Sequence, residues 1–122
     1  MGGARSRNLA RVVSPSELRR GDLFWARLPE PHGRRPVVIV SRTRAARVRP
    51  VVTIAPVTRT IRGIGSELPL GPDDGLRARC VANCDNLETV SKRRLTKRIG
   101  SLGSDKLVVL DDALRFALGI RT

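Results

Sequence analysis

The sequence predicts a small, mostly β domain finished by one C-terminal helix. Its 122 residues suit a single domain, which at this size buries roughly two thirds of its unfolded surface and needs no staples. An apolar content of 40% is ordinary for a globular chain and argues against disorder. Short runs of β-branched residues recur between turn residues over 22–102, whereas helical periodicity is clear only from 104 onward. Strands followed by a terminal helix imply a small barrel or sheet with the helix packed on it.

Residues 1–15 carry Gly2, Gly3, Arg5, Arg7 and Arg11 and no acid, and read as a flexible basic arm or an added leader. The domain is expected over 16–122, with folding starting between Ser16 and Gly21. Residues 22–28, Asp-Leu-Phe-Trp-Ala-Arg-Leu, form a first strand rich in aromatic and branched side chains. Phe24 and Trp25 are neighbours on it and are expected in the core, with one side facing inward first. Pro29-Glu30-Pro31-His32-Gly33 is turn material. Residues 36–41, Pro-Val-Val-Ile-Val-Ser, read as a strand buried on both faces.

Four arginines within 42–50 mark a basic loop or short helix. Residues 51–57 make a third strand that should end near Pro56, since proline cannot donate to a ladder. Residues 58–65 are a polar, basic connection, 66–70 a short strand and 71–75 a turn. A strand over 79–83 has Cys80 and Cys84 near its ends, and 97–102 suits another. Ser104 can cap the helix, with Asp105 favoured in its first turn by the helix dipole. Leu107, Leu110, Ala113, Leu114, Ala117 and Leu118 follow one helical face, and Gly119 marks its stop.

Charge narrows the function. Lys plus Arg total 24 against 11 Asp plus Glu, a net +13, and such a surface attracts polyanions: nucleic acid, anionic lipid or an acidic protein. A solvated basic surface is the plainer alternative. No apolar run approaches the roughly 20 residues needed to span a bilayer, and no hydrophobic segment follows the N-terminal charges, so a cytoplasmic protein is expected. On one strand Cys80 and Cys84 would lie about 13 Å apart, too far for a disulfide, so buried free thiols are expected. Two sulfurs without a nearby His fall short of a zinc site, and Asp73-Asp74 and Asp111-Asp112 look like turn and helix surface rather than metal ligands.

The chain has no P-loop, no GxGxxG and no HExxH, and its single histidine leaves none for a paired-His site. With two Phe, one Trp and no Tyr, base stacking is a minor resource and arginine–phosphate contacts carry most of the recognition. RNA cleavage without a metal or cofactor needs few groups. An arginine fork suits phosphate oxygens, a threonine hydroxyl donates one more hydrogen bond, and a carboxylate or imidazole moves protons.

Six blocks then occur in a telling order. Arg20-Gly21-Asp22-Leu23-Phe24-Trp25-Ala26-Arg27-Leu28 resembles the RGDI-x-W-V-x-L opening of MazF/PemK-like toxins, and Gly33-Arg34-Arg35-Pro36-Val37-Val38-Ile39-Val40-Ser41 their G-x-RPVLVVS strand. Ile54-Ala55-Pro56-Val57-Thr58 is similar to V-x-P-[LIV]-T, and Cys84-Asp85-Asn86-Leu87-Glu88-Thr89-Val90 to CDQ-x-RTV. Arg94-Leu95 through Gly100 fits RL-x-x-x-IG, and Asp112-Ala113-Leu114 through Gly119-Ile120 fits D-x-AL-x-x-x-LGL. The resemblance implies an SH3-like small barrel, PemK/CcdB-like, with a C-terminal α-helix. It implies a homodimeric toxin that cuts single-stranded RNA at short specific sequences. That cleavage uses no metal and leaves a 2′,3′-cyclic phosphate and a 5′-hydroxyl. It also implies an acidic antitoxin that covers the RNA groove.

Carried over residue by residue, the resemblance makes Arg35 the phosphate clamp, with Arg34 beside it, Thr58 a second phosphate ligand and Asp85 a base. The plainer readings are an exposed strand-entry arginine, a turn threonine and a strand-end aspartate. The first loop is shorter than the family's G-S-E-Q pattern, so Glu30 or His32 could supply the missing acid–base group, although a loop histidine is more often merely exposed. Asn83 stands where some members have arginine, which leaves the general acid open. The loops over 30–35, 42–49 and 59–65, with Arg34, Arg42, Arg44, Arg59 and Arg62, are the expected RNA contacts. Two other readings stand beside the enzyme: a non-catalytic protein on the same fold, gyrase-poison-like or an inactive RNA binder, and a structural RNA-binding domain.

Overall fold

In the computed structural model, which describes residues 17–121, turn residues and branched runs divide the chain much as the sequence predicts. The arm expected over 1–15 lies outside the described residues. The strands are β1 (Asp22–Leu28), β2 (Gly33–Ile39), β3 (Val51–Thr58), β4 (Glu67–Leu70), β5 (Cys80–Asn83), β6 (Glu88–Ser91) and β7 (Leu95–Ser101). A short helix α1 (Thr43–Val48) follows β2, and α2 (Ser104–Leu118) closes the chain. The antiparallel sheet runs β4-β5-β3-β2-β1-β7, with β6 paired to β3. The mostly β fold with a C-terminal helix is as expected, but the path of pairing is open, ending at β4 and β7 instead of closing into a ring.

The branched run in β2 is buried on both faces because the sheet has a core on each side. Leu23, Val38, Ala55 and Val57 face one way, toward Leu110 and Ala113 of α2. Phe24, Val37, Ile39 and Ile54 face the other, with Ala46, Val90 and Leu95. Successive side chains alternate across a strand, so neighbouring residues feed different cores.

Several boundaries differ from expectation. β2 begins at Gly33, three residues early, because Arg34 and Arg35 pair with Arg27 and Ala26. β3 does not stop at Pro56 but runs to Thr58, changing partner there: Pro56 is the last residue opposite β2, and Val57 and Thr58 pair with β5. A proline without an N–H fits where one ladder hands over to another. The N-cap of α2 is Gly103, whose side chain offers no cap, so Ser104 is the first helical residue instead. β6 has no alternating apolar pattern, since only Val90 is buried, and no strand was expected there. Leu118 is 57% exposed and Trp25 is half-buried, so neither belongs to the packed core expected of them.

The Arg-Gly-Asp opening acts as a structural clasp. Gly21 has φ +93°, and a Cβ there would meet Leu107 of α2 at 2.5 Å, so only glycine fits. Arg20 pairs with Asp111 of α2 at 2.6 Å. Asp22 is fully buried and accepts from Arg98 twice (3.0 and 3.1 Å), from the Ser101 hydroxyl (2.7 Å) and from the Arg19 N–H (2.9 Å). At the far side, the Lys92 ammonium donates to the carbonyls of Ala46 (2.5 Å) and Arg47 (3.2 Å), satisfying acceptors that the end of α1 leaves open.

Candidate active site

The handover at Pro56 creates the site. If the β2–β3 pairing of Val37 with Pro56 continued by two residues, Arg35 would stand opposite Thr58. Instead Val57 and Thr58 pair with β5, and the Arg35 and Thr58 side chains both border one open space. An open groove of about 530 Å³ fills that space. His32 and Arg35 line it, together with Thr58, Thr60 and Arg62 from the end of β3 and the loop that follows. Asn83, Asp85 and Glu88 belong to the same lining.

Each group is held by its neighbours. The Thr58 hydroxyl accepts the Thr60 N–H at 3.1 Å, which fixes its rotamer and leaves its own proton free to donate into the groove. Asp85 is exposed in the short turn after β5, and one carboxylate oxygen accepts from the Ser66 hydroxyl at 2.5 Å. Asn83 accepts the Asp85 N–H at 2.9 Å and so caps that turn. The position where some proteins of the resembled family have arginine thus has a shaping role here. The loop over 59–65 is tied down by Glu67, 8% exposed, which accepts from the N–H groups of Arg62 (3.1 Å to each oxygen) and Gly63 (2.9 Å).

The groove therefore gathers Arg35, Thr58, Asp85, His32 and Arg62 from three separate stretches of the chain. Glu30 is exposed on the first turn, outside the groove lining. Arg34 packs on Trp25, 4.2 Å from the ring centroid, and Arg59 lines a neighbouring cavity. Arg42 and Arg44 are exposed at the start of α1, away from the groove. Ser66 and Glu67, which position the site, were missed; a serine and a glutamate beside a short strand carry no spacing that marks them. Asp74 also departs from its reading as turn surface: its side chain is 8% exposed and pairs with Lys106 at 2.6 Å. Among the described residues, no three His, Cys, Asp or Glu side chains cluster to hold a metal ion, and no helix is long and apolar enough to cross a membrane.

Cys80 and Cys84 are free and buried, as expected. Burial pushes the Cys84 thiol up to about 11; the Asp85 charge adds to the rise and Arg20 opposes it. The folded thiol keeps its proton where the unfolded one, ordinarily near pKa 8.5, has lost it. Cys84 therefore contributes stability in full below about pH 8.5 and loses it as pH rises toward about 11. Urea denaturation at each end of that window should show a smaller fall for Cys84→Ala than for the wild-type chain. An equal fall would remove Cys84 as the cause.

Residues 19–118 match the family described as PemK-like, MazF-like toxin of type II toxin–antitoxin system. The chain is 38% identical over 100 residues to a Mycobacterium tuberculosis protein named probable endoribonuclease MazF5, covering 81% of this chain and 91% of that one. The solved Mycobacterium tuberculosis toxin MazF-mt6 superposes with a TM-score of 0.77 at 31% identity, over 83% of this chain and 99% of its own. A mycobacterial endoribonuclease solved in complex with its cognate antitoxin gives 0.76 at 30% identity, over 86% and 98%.

Proposed function

The chain belongs to the PemK-like, MazF-like toxin family of type II toxin–antitoxin systems, and from that premise we propose that it is an endoribonuclease toxin cutting single-stranded RNA in the groove between β2 and β3. The observation that carries the reading is the meeting of Arg35, Thr58 and Asp85 around one open groove. The Arg35 guanidinium clamps the non-bridging oxygens of the scissile phosphate, and the free Thr58 proton donates to the same oxygens, more strongly as charge builds in the transition state. Asp85, oriented by Ser66, takes the proton of the 2′-hydroxyl, whose oxygen attacks the adjacent phosphorus. The P–O5′ bond breaks, and His32 or Arg35 supplies the proton to the departing oxygen. The products are a 2′,3′-cyclic phosphate and a 5′-hydroxyl, and no metal takes part.

Mapping transcript ends after digestion in EDTA tests this. Cleavage at one short sequence with cyclic-phosphate ends supports the reading. No cleavage of any RNA by antitoxin-free protein returns the chain to a non-catalytic binder on this fold.

As further partners we propose an acidic antitoxin, by likeness to the mycobacterial complex, and a second copy of the chain, both in the cytoplasm. Exposed Phe116, Leu118 and Ile120 at the end of α2, with Ile61 and Ile64 on the loop after β3, supply apolar surface for the copy. Light scattering should give twice the chain's mass, and a single chain's mass would remove that partner.

A further inference from the structure

Beside the groove, sharing Thr58 with it, lies a second cavity of about 170 Å³. Trp25, Pro36, Val57, Leu76, Ala78 and Cys80 make its mainly apolar walls. Arg59 and Arg77 line it as well, Arg34 lies on the indole, and no carboxylate lines it. A cavity of about 150 Å³ accepts one benzene ring, so this one suits a single planar ring system rather than a peptide segment. Thr58 belongs to both linings, and Pro36 and Arg59 directly adjoin Arg35 and Thr58 in the chain.

We propose that this cavity is a nucleobase subsite: it takes the base of a nucleotide flanking the scissile phosphate, while Arg59 and Arg77 hold the phosphate attached to it. The proposal rests on the nuclease reading for the neighbouring groove and adds what reads the flanking base. Apolar walls meet the ring, the guanidinium groups meet the anionic linkage, and the shared Thr58 wall puts both within one polynucleotide chain. It also assigns a role to Trp25, which the sequence placed in the core and the structure leaves half-buried at a cavity wall.

Trp25 is the chain's single tryptophan, so its emission reports on the cavity directly. The probes are short 2′-O-methyl oligonucleotides of A, C, G or U, which cannot be cleaved, and an abasic backbone of equal length. At least one of the four should shift Trp25 emission and bind about tenfold tighter than the abasic backbone. Ala78→Phe, which fills the cavity, should erase that difference while leaving abasic binding unchanged; Leu76→Ala, which widens it, should reduce the difference. Arg77→Ala should weaken all probes, the abasic one included.

The subsite is overturned if no base improves on the abasic backbone, or if Ala78→Phe and Leu76→Ala both preserve the difference. A change in Trp25 emission with an acidic peptide and with no oligonucleotide also overturns it, in favour of a protein occupant. None of these measurements involves cleavage, so failure of the nuclease reading shows in the RNA digest and not here.

Discussion

Arg35→Ala should lower RNA cleavage by about 10³-fold or more while leaving the fold intact, because in the proposed reaction it removes the charged fork that holds the phosphate. Arg35 is half-buried in the lining of the groove and makes none of the ion pairs found among the described residues, so no ion pair is lost with it. Lysine should rescue little, since an ammonium restores the charge but not the two parallel hydrogen bonds. Single-turnover rates beside an unchanged melting curve make the comparison. Cleavage by Arg35→Ala within tenfold of wild type would remove Arg35 from the chemistry.

The opposite pattern is expected at Asp22. Asp22→Ala should cost about 3 kcal/mol of stability, since it strips a buried ionic cluster of its acceptor. It would leave the Arg19 N–H and the Ser101 hydroxyl short of a partner and release the Arg98 guanidinium that ties β7 to β1. Arg98 is 43% exposed and water can reclaim it, which keeps the cost below that of stranding a fully buried charge. Urea unfolding gives the number. A loss under about 1 kcal/mol would mean the cluster is no more than a surface pair. At temperatures where the variant remains folded, its cleavage rate should match wild type, because Asp22 lies outside the groove lining.

These two residues also show how far the sequence could be read. The strands over 22–28 and 51–57 were legible because branched and aromatic residues run unbroken between turn residues, and the helix from 104 because burial of one face imposes period 3.6. Glu88–Ser91 was not, because a four-residue strand with one buried side chain has no period to detect. Arg35, Thr58 and Asp85 could be named from the resemblance. Their meeting could not, since it depends on β3 changing partner at Pro56, and a register handover is a tertiary event.

Asp22 sat in a recognised motif without a visible reason, because its partner Arg98 is far away in sequence. Ser66 and Glu67 escaped for the same cause: their roles lie in contacts to Asp85 and to the loop over 59–65. Trp25 was misread because adjacency to Phe24 on a strand says which residues alternate, not whether the second face is fully covered.

A crystal structure with a 2′-O-methylated oligonucleotide bearing the mapped cleavage sequence bears most directly on the groove. Its scissile phosphate should lie between β2 and β3, with non-bridging oxygens about 2.7–3.2 Å from the Arg35 guanidinium and the Thr58 hydroxyl. An oligonucleotide held elsewhere on the surface, with both side chains facing only solvent, would contradict the assignment.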